Sequence, residues 1–265
     1  MDPARPLPRR RSSVARCAIA LAALWIAAGC AAPGPKAAPP VTRGTLPATV
    51  APTAPTVPGS VPGTIGTPAP PPPPVFNGAV EVIPADVREL MTGRSWRPGC
   101  PVGLDDLRLL TVTYWGFDGA AHAGNLTVHR DHADALLAVF RSLFQAGFPI
   151  ERIQLVDDFG ADDAQSMAAN NTSAFNCRGI DGHPGVWSEH SYGWAVDINP
   201  VQNPWVRGTQ VDPPAGAPFA DRTRQAPGMI HAGDAVVQAF TAVGWTWGGT
   251  FRSAKDYQHF SASGR

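Results

Sequence analysis

Two short segments of the chain hold residue types that commonly bind metal ions. The first reads SEHSYGWAVDINP over residues 188–200, and the second reads DYQHF over residues 256–260. Neutral imidazoles and a carboxylate are usual protein ligands of a catalytic Zn²⁺, which keeps a water molecule in its fourth position. His190, Asp197 and His259 are therefore candidate ligands of one zinc ion. Asp256 is left over as a candidate acid or base.

His190 and Asp197 can bind the same ion only if the chain bends between them. On a continuous helix, two residues seven positions apart lie about 10.5 Å apart along the axis. Ligand atoms of one zinc ion each approach it to within about 2.2 Å. Gly193 permits a bend, and residues 194–198 have the composition of a strand. We therefore expect a turn followed by a strand, with His259 reaching the site from a distant segment.

The remaining pattern predicts an α+β fold. Apolar residues recur at helical spacing over residues 133–144, with Asp131 as N-cap and Gly147 as the stop, and a strand is predicted over 107–117. Because helices and strands do not alternate regularly, we expect a mainly antiparallel sheet with flanking helices and the zinc site on the sheet. Further elements are predicted as strands over 126–129 and 153–156 and as helices over 84–91, 164–169 and 235–243.

Composition divides the chain into three parts. Fifteen of its 29 prolines lie between Pro33 and Pro74, and residues 31–75 contain no acidic or aromatic residue. Such a segment cannot build a core, and it favours extended polyproline II structure. We therefore expect residues 31–75 to form a disordered tether and residues 76–265 to form a single catalytic domain.

Residues 1–30 have the pattern of an export signal. Arginines precede an apolar run over residues 17–28, which at about 12 residues is shorter than the roughly 20 of a membrane span. The run ends in IAAGC, which resembles a bacterial lipobox with Cys30 as the lipid-modified residue; an ordinary cleaved secretory signal is the alternative. We expect an exported protein of the cell envelope, attached through this N-terminal lipid to the outer face of the membrane.

The net charge of the chain limits the classes of partner that it can bind. Beyond residue 43 the chain carries 14 basic against 20 acidic groups, a net −6, which argues against a nucleic-acid partner.

Cys17 and Cys30 belong to the signal, which leaves Cys100 and Cys177. Two cysteines in an exported domain usually form a disulfide. Zinc ligation by this pair is the competing interpretation, but neither cysteine has a nearby Cys or His in the sequence.

The motifs SxHxxGxAxD, WxWGG over residues 245–249 and DxxHF together resemble those of VanY-like zinc D,D-carboxypeptidases and L-alanyl-D-glutamate endopeptidases. The resemblance covers most of residues 107–260 in order and spacing. It implies a small α+β fold and a hydrolase that cleaves peptide bonds in peptidoglycan stem peptides. It also implies that His190, Asp197 and His259 bind one Zn²⁺ per chain and that Asp256 is the general base. Carboxypeptidase and endopeptidase activity both remain open.

The chain departs from these relatives in its substrate-binding residues. They commonly carry an arginine in an upstream SGYR-like segment, whereas no arginine occurs here between Arg152 and Arg178. Arg178 is therefore the candidate for binding the anionic end of a substrate or the developing oxyanion. Three other residues have two interpretations each, substrate contact or local structure: Asn171 in a polar run, Ser188 in a turn, and Trp247 beside glycines. The aspartate pairs 157–158 and 162–163 lack calcium-loop spacing and predict a solvated acidic face.

A second function class fits the same sequence. A non-catalytic cell-wall-binding module on a tether could hold a purely structural zinc ion. A structural site, however, normally closes its fourth position with protein, and Asp256 would then have no role. The sequence therefore favours the metallopeptidase, and it indicates no protein partner.

Overall fold

The computed structural model describes residues 72–180 and 182–265. The predicted export signal, the lipobox at Cys30 and the predicted tether up to residue 71 lie outside the described residues. Among the helices that are described, none is both long and apolar enough to cross a lipid bilayer.

Short strands outnumber helices in the described residues. The strands are β1 (Gly78–Val82), β2 (Leu107–Trp115), β3 (Ala121–His129), β4 (Arg152–Ile153), β5 (Asn171–Thr172), β6 (Gly179–Ile180), β7 (His183–Trp187), β8 (Ala195–Asp197), β9 (Trp205–Arg207), β10 (Gln210–Asp212), β11 (Thr246–Trp247), β12 (Lys255–Asp256) and β13 (His259–Ser261). The helices are α1 (Ala85–Met91), α2 (Ala133–Gln145), α3 (Asp163–Ala168) and α4 (Ala235–Ala242).

The core forms between the longest strands and helix α2. Strand β2 pairs antiparallel with β1 on one side and with β3 on the other. Helix α2 buries Leu136, Phe140 and Leu143 on one face, at the helical spacing seen in the sequence. These side chains belong to the same hydrophobic cluster as Leu110 and other residues of β2 and β3.

A second, smaller sheet supports the predicted metal site. Its strand order is β11-β13-β8, and both pairs are antiparallel. Every residue of β8 and β13 is buried. Phe260 on β13 stacks on Phe240 of α4, with ring centroids 4.0 Å apart. Helix α4 therefore packs against one face of this sheet. The opposite face can carry reactive side chains.

Two hairpins complete the described fold. Strands β9 and β10 form one hairpin, to which β12 is added on the β9 side. Strands β6 and β7 form the other, with exposed apolar side chains at Ile180 and Val186.

The expected α+β class with mainly antiparallel sheets is confirmed, with local differences. The parallel pair is β4 with β5. The strand predicted over 153–156 is shorter than expected, because a 3-10 turn begins at Val156. The predicted N-cap of α2 was also wrong: the cap is His132, and its side chain makes no capping hydrogen bond.

Cys100 and Cys177 form the expected disulfide, across a sequence separation of 77 residues. Cys177 is buried in a small apolar cluster with Met91, Leu107 and Phe175, and Cys100 packs against it. The bond therefore fastens the segment after α1 to the segment that precedes the predicted metal-binding motif.

Cys100→Ser is expected to destabilise the domain by up to about 4 kcal/mol, because the unfolded chain regains the entropy of a long loop. Denaturant unfolding of the oxidised wild type, the reduced wild type and the variant measures this. The reduced wild type is the matched control and should resemble the variant. Equal midpoints for the variant and the oxidised wild type would show that the bond contributes nothing.

Candidate metal centre

His190 lies on a 3-10 turn, Glu189–Tyr192, whose two ends are fixed by specific residues. At the start, the Ser188 hydroxyl accepts a hydrogen bond from the His190 backbone N–H at 3.3 Å. At the end, Gly193 has a φ of 69°, in the left-handed region that favours glycine. A Cβ atom there would lie 2.5 Å from the backbone nitrogen of His129. The predicted bend at Gly193 is therefore present, and no other residue type fits it.

Strand pairing brings the other two side chains to His190. In the antiparallel pair of β8 and β13, His259 lies directly opposite Asp197. The two oxygens of Asp197 lie 3.1 Å from His190 Nε2 and 3.0 Å from His259 Nδ1. The two imidazole nitrogens are 3.3 Å apart, and all three side chains are buried. The structure thus assembles the three ligands predicted from the sequence, with their ligand atoms within 4.8 Å of one another.

The opposite nitrogen of each imidazole contacts a backbone carbonyl. His190 Nδ1 contacts the Ala174 oxygen, and His259 Nε2 lies 3.0 Å from the Arg265 oxygen. Because a carbonyl oxygen can only accept, each of these nitrogens must donate. In the neutral imidazoles, His190 Nε2 and His259 Nδ1 then carry lone pairs that face each other and the Asp197 carboxylate. Metal-binding histidines typically donate their other N–H in this way, which orients the ring.

Three converging acceptors require a cation or a proton between them. Burial opposes ionisation of Asp197, but the charges and hydrogen bonds of His190 and His259 prevail and hold its pKa well below the usual range. Burial likewise lowers the pKa of His259, but the hydrogen bond and charge of Asp197 outweigh it and raise that pKa to about 9. A metal ion that enters must therefore displace a proton from His259, so metal affinity should fall as the pH falls. Two imidazole nitrogens and one carboxylate, with a position left open, fit a catalytic divalent ion such as zinc.

Asp256 lies beside these three residues but is not one of the clustered ligands. It is on β12, opposite Trp205 of β9. Its Oδ1 atom is buried and has no hydrogen-bond partner among the described residues. Burial raises the pKa of Asp256 to about 6. The positive charges of His259 and His190 oppose this increase, and the negative charge of Asp197 adds to it. A carboxylate with a pKa close to neutral and a free oxygen is suited to accepting and returning a proton.

Gly248 in the WxWGG motif allows the chain to pass close to Asp256. A Cβ atom at Gly248 would lie 2.5 Å from the Asp256 carbonyl oxygen and 2.9 Å from its Cβ. Separations under about 3 Å between such atoms are not tolerated, so a larger residue must displace the β12 backbone. The motif thus sets the position of the candidate base.

Gly248→Ala is expected to lower the hydrolysis rate by about 10- to 100-fold while the metal content stays unchanged, because small displacements of a catalytic group are costly. The readouts are kcat and the number of metal ions per chain. Gly103→Ala is the matched control, since a Cβ there makes only an ordinary contact of 3.5 Å with Asp106. An unchanged rate in Gly248→Ala would show that this close approach does not position the base.

The three ligands and Asp256 line one cavity of about 790 Å³. The β6–β7 hairpin contributes Ile180 and Val186 to one wall, and the β9–β10 hairpin contributes Trp205 and Arg207 to another. A cavity of this size can hold several atoms on each side of a peptide bond. The candidate metal centre is therefore open to a peptide-sized ligand.

Two predicted substrate-binding residues line this cavity. Arg178 lines the cavity, and its guanidinium donates to the Asp163 carboxylate at 2.8 Å. This ion pair orients the Arg178 side chain. Ser188 also lines the cavity, but its hydroxyl caps the turn that carries His190. The structure therefore shows the local role that the sequence left open for Ser188.

The other two candidate substrate contacts are not among the side chains that line the cavity, which favours their second interpretation, local structure. Asn171 is fully buried, and its amide bonds to the Gln154 backbone and to the Ser166 hydroxyl. Trp247 belongs to the main hydrophobic core, and its indole N–H donates to the Tyr257 carbonyl at 2.8 Å. Both side chains have packing roles.

The predicted acidic face also needs correction at Asp157. Asp157 is buried, and its carboxylate accepts hydrogen bonds from the Ser95 backbone at 3.1 Å and the Ser95 hydroxyl at 2.9 Å. Burial raises its pKa, although these hydrogen bonds oppose the change. Asp163 is also engaged, through Arg178. Asp158 and Asp162 are exposed, as expected.

Several cavity residues were not identified as binding candidates from the sequence. Trp205 and Arg207 reach the cavity because β9 pairs with β12, which is about 50 positions away in the chain. Glu189 and Gln258 flank metal-binding positions in the motifs, and each has a buried side-chain oxygen without a partner in the described structure. Their position next to predicted metal ligands was the feature of the sequence that could have identified Glu189 and Gln258.

Comparison with known proteins supports the candidate metal centre. The peptidase M15 family model that is described as D-alanyl-D-alanine carboxypeptidase matches residues 181–262. This stretch contains all three clustered ligands and Asp256, and the resemblance drawn from the motifs is confirmed over it. No curated protein and no solved structure gives a significant match to the chain.

Proposed function

We propose that the chain is a zinc metallopeptidase that hydrolyses peptide bonds in peptidoglycan stem peptides, in the manner of a D-Ala-D-Ala carboxypeptidase. One observation carries the proposal: His190 Nε2 and His259 Nδ1 lie 3.3 Å apart and converge with the Asp197 carboxylate, at 3.1 and 3.0 Å. Beside them lies Asp256, whose Oδ1 atom has no hydrogen-bond partner among the described residues. The cavity around them and the family match over residues 181–262 support the proposal.

Each residue has a definite role in this proposal. A zinc ion held by His190, Asp197 and His259 would supply Lewis acidity and lower the pKa of a bound water to about 7. Asp256 accepts the proton of the attacking water and returns it to the leaving amine. Arg178, oriented by Asp163, attracts the anionic end of the substrate or the charge that develops on the scissile carbonyl.

Digestion of purified stem peptides tests the proposal. The full-length protein, loaded with one equivalent of zinc, is incubated with pentapeptide and tetrapeptide stems, and the products are identified by mass spectrometry. Release of the terminal D-alanine indicates a carboxypeptidase, whereas an internal cut after L-alanine indicates an endopeptidase. Stoichiometric zinc binding without cleavage of any stem would instead support the tethered cell-wall-binding module.

We also propose that the enzyme is exported and held at the cell envelope, with residues 1–30 as signal, residues 31–75 as tether and residues 76–265 as catalytic domain. The Cys100–Cys177 disulfide supports an oxidising compartment.

Cys30→Ser is expected to release the protein from the membrane fraction or to leave its signal uncleaved, because the lipid-modified thiol is lost. Membrane fractionation and mass determination of the mature N-terminus measure this. Cys17→Ser, within the signal, is the matched control and should still be processed. A wild-type protein that is wholly soluble and carries no lipid would rule out the anchor.

A further inference from the structure

Glu189 is a buried carboxylate in the cavity wall that lacks a partner for one of its oxygens. Its side chain is 8% exposed, and it lines the same cavity as His190. The Oε2 atom is buried and has no hydrogen-bond partner in the part of the chain that is described. Burying a carboxylate oxygen without a donor is costly, so such a group in a cavity wall calls for a ligand that supplies one.

The other oxygen of Glu189 already faces a cation. Arg265 Nη2 lies 3.3 Å from Glu189 Oε1, and the Arg265 side chain is 78% exposed. An ion pair with so exposed a partner is weakened, because water competes for the charge of the guanidinium. The guanidinium can therefore be replaced at little cost by another cation that enters from the cavity.

We propose that Glu189 forms a binding site for a primary ammonium group of the substrate peptide, and that the Arg265 guanidinium occupies this position in the free protein. An ammonium group supplies the positive charge and the several donors that the two carboxylate oxygens need. Glu189 is not among the clustered metal ligands, so a metal ion is not the expected occupant. Because Glu189 directly precedes His190 on the same turn and lines the same cavity, the ammonium group would bind in the cavity that contains the predicted metal ligands. The inference rests on the proposed peptidase function.

Two parts of a stem peptide can supply this ammonium group, its free N-terminus and the side chain of a diamino acid. Four versions of one lysine-containing stem pentapeptide separate them: both amines free, only the α-amine acetylated, only the lysine side chain acetylated, and both acetylated. The values of kcat and KM are measured for each peptide with wild type and with Glu189→Gln. Glutamine keeps the shape and one acceptor but removes the charge.

The expected result is a loss that depends on the substrate. Glu189→Gln should raise KM by about 10- to 100-fold for peptides with the recognised ammonium group, the usual range for a charge-assisted hydrogen bond. It should leave KM unchanged for peptides in which that amine is acetylated. The amine whose acetylation removes the effect identifies the source. Arg265→Ala should lower KM for the ammonium peptides, because the competing guanidinium is gone while the backbone oxygen that contacts His259 remains.

Other results would overturn the inference. Equal losses on free and acetylated peptides would show that Glu189 only supports the turn that carries His190, and metal content would reveal that role directly. No loss on any peptide would show that Glu189 makes no contact. If wild type cleaves none of the four peptides, the proposed function fails by itself. Calorimetric binding of the same peptides to wild type and Glu189→Gln then still tests the ammonium site.

Discussion

Asp256→Asn is expected to keep one metal ion per chain and to lower kcat by about 10²- to 10⁴-fold, the usual contribution of a general base. Asparagine has nearly the same shape as aspartate but cannot accept a proton at neutral pH. Asp256 lies outside the cluster of ligand atoms, so its replacement should not release the metal. Metal analysis and stem-peptide hydrolysis on the same preparation measure both quantities.

Asp212→Asn is the matched control for this experiment, because it makes the same change at another carboxylate of the cavity wall. It should leave both rate and metal content nearly unchanged. Loss of metal in Asp256→Asn would make Asp256 a ligand. An unchanged rate would place the base elsewhere, with Glu189, which directly precedes His190 and lines the same cavity, as the next candidate.

The pH dependence of the rate follows from the same carboxylate. Asp256 works as a base only when ionised, so kcat/KM should be present above its pKa and should be lost as the pH falls through it. Without a metal that pKa is about 6, and a bound cation nearby would move it lower. The acid limb of the profile should therefore lie at or below about pH 6 and be absent in the residual activity of Asp256→Asn.

His190→Ala and His259→Ala are expected to weaken metal binding by more than about 100-fold, so that both variants lose hydrolysis with the metal. A site with three protein ligands has none to spare, and even changes behind the ligands typically cost 10- to 100-fold. His122→Ala is the matched control, since His122 is exposed and pairs with Asp118 at the surface. Full metal content in either site variant would show that the ion binds elsewhere.

The sequence was sufficient to identify His190 and Asp197 as members of the candidate metal cluster, because their arrangement depends on short-range features. Gly193 must bend the chain after His190, and a strand must follow to present Asp197. Both features are visible in a stretch of ten residues, and the structure contains both. The pairing of His259 directly opposite Asp197 was not predicted, because strand pairing across about 60 positions leaves little local signal.

The surroundings of the candidate substrate-binding residues were predicted less well, for a physical reason. A polar residue such as Asn171 looks the same in sequence whether it faces a cleft or bonds to buried backbone, and here it bonds to the Gln154 backbone. Asp157 was likewise expected to be exposed to solvent. It is instead buried, and its carboxylate accepts a hydrogen bond from Ser95, which lies about 60 positions earlier in the chain. Contacts of this kind depend on which distant segments meet, and residue types alone do not specify that.

Zinc titration of the metal-free protein, followed at once by metal binding and by stem-peptide hydrolysis, tests the central claim most directly. The account predicts that hydrolysis rises in proportion to bound zinc and reaches its plateau at one ion per chain. It also predicts that Asp256→Asn binds the same single ion without comparable hydrolysis. Hydrolysis that is unaffected by removal of the metal, or one tightly bound zinc ion that produces no hydrolysis in the wild type, would contradict it.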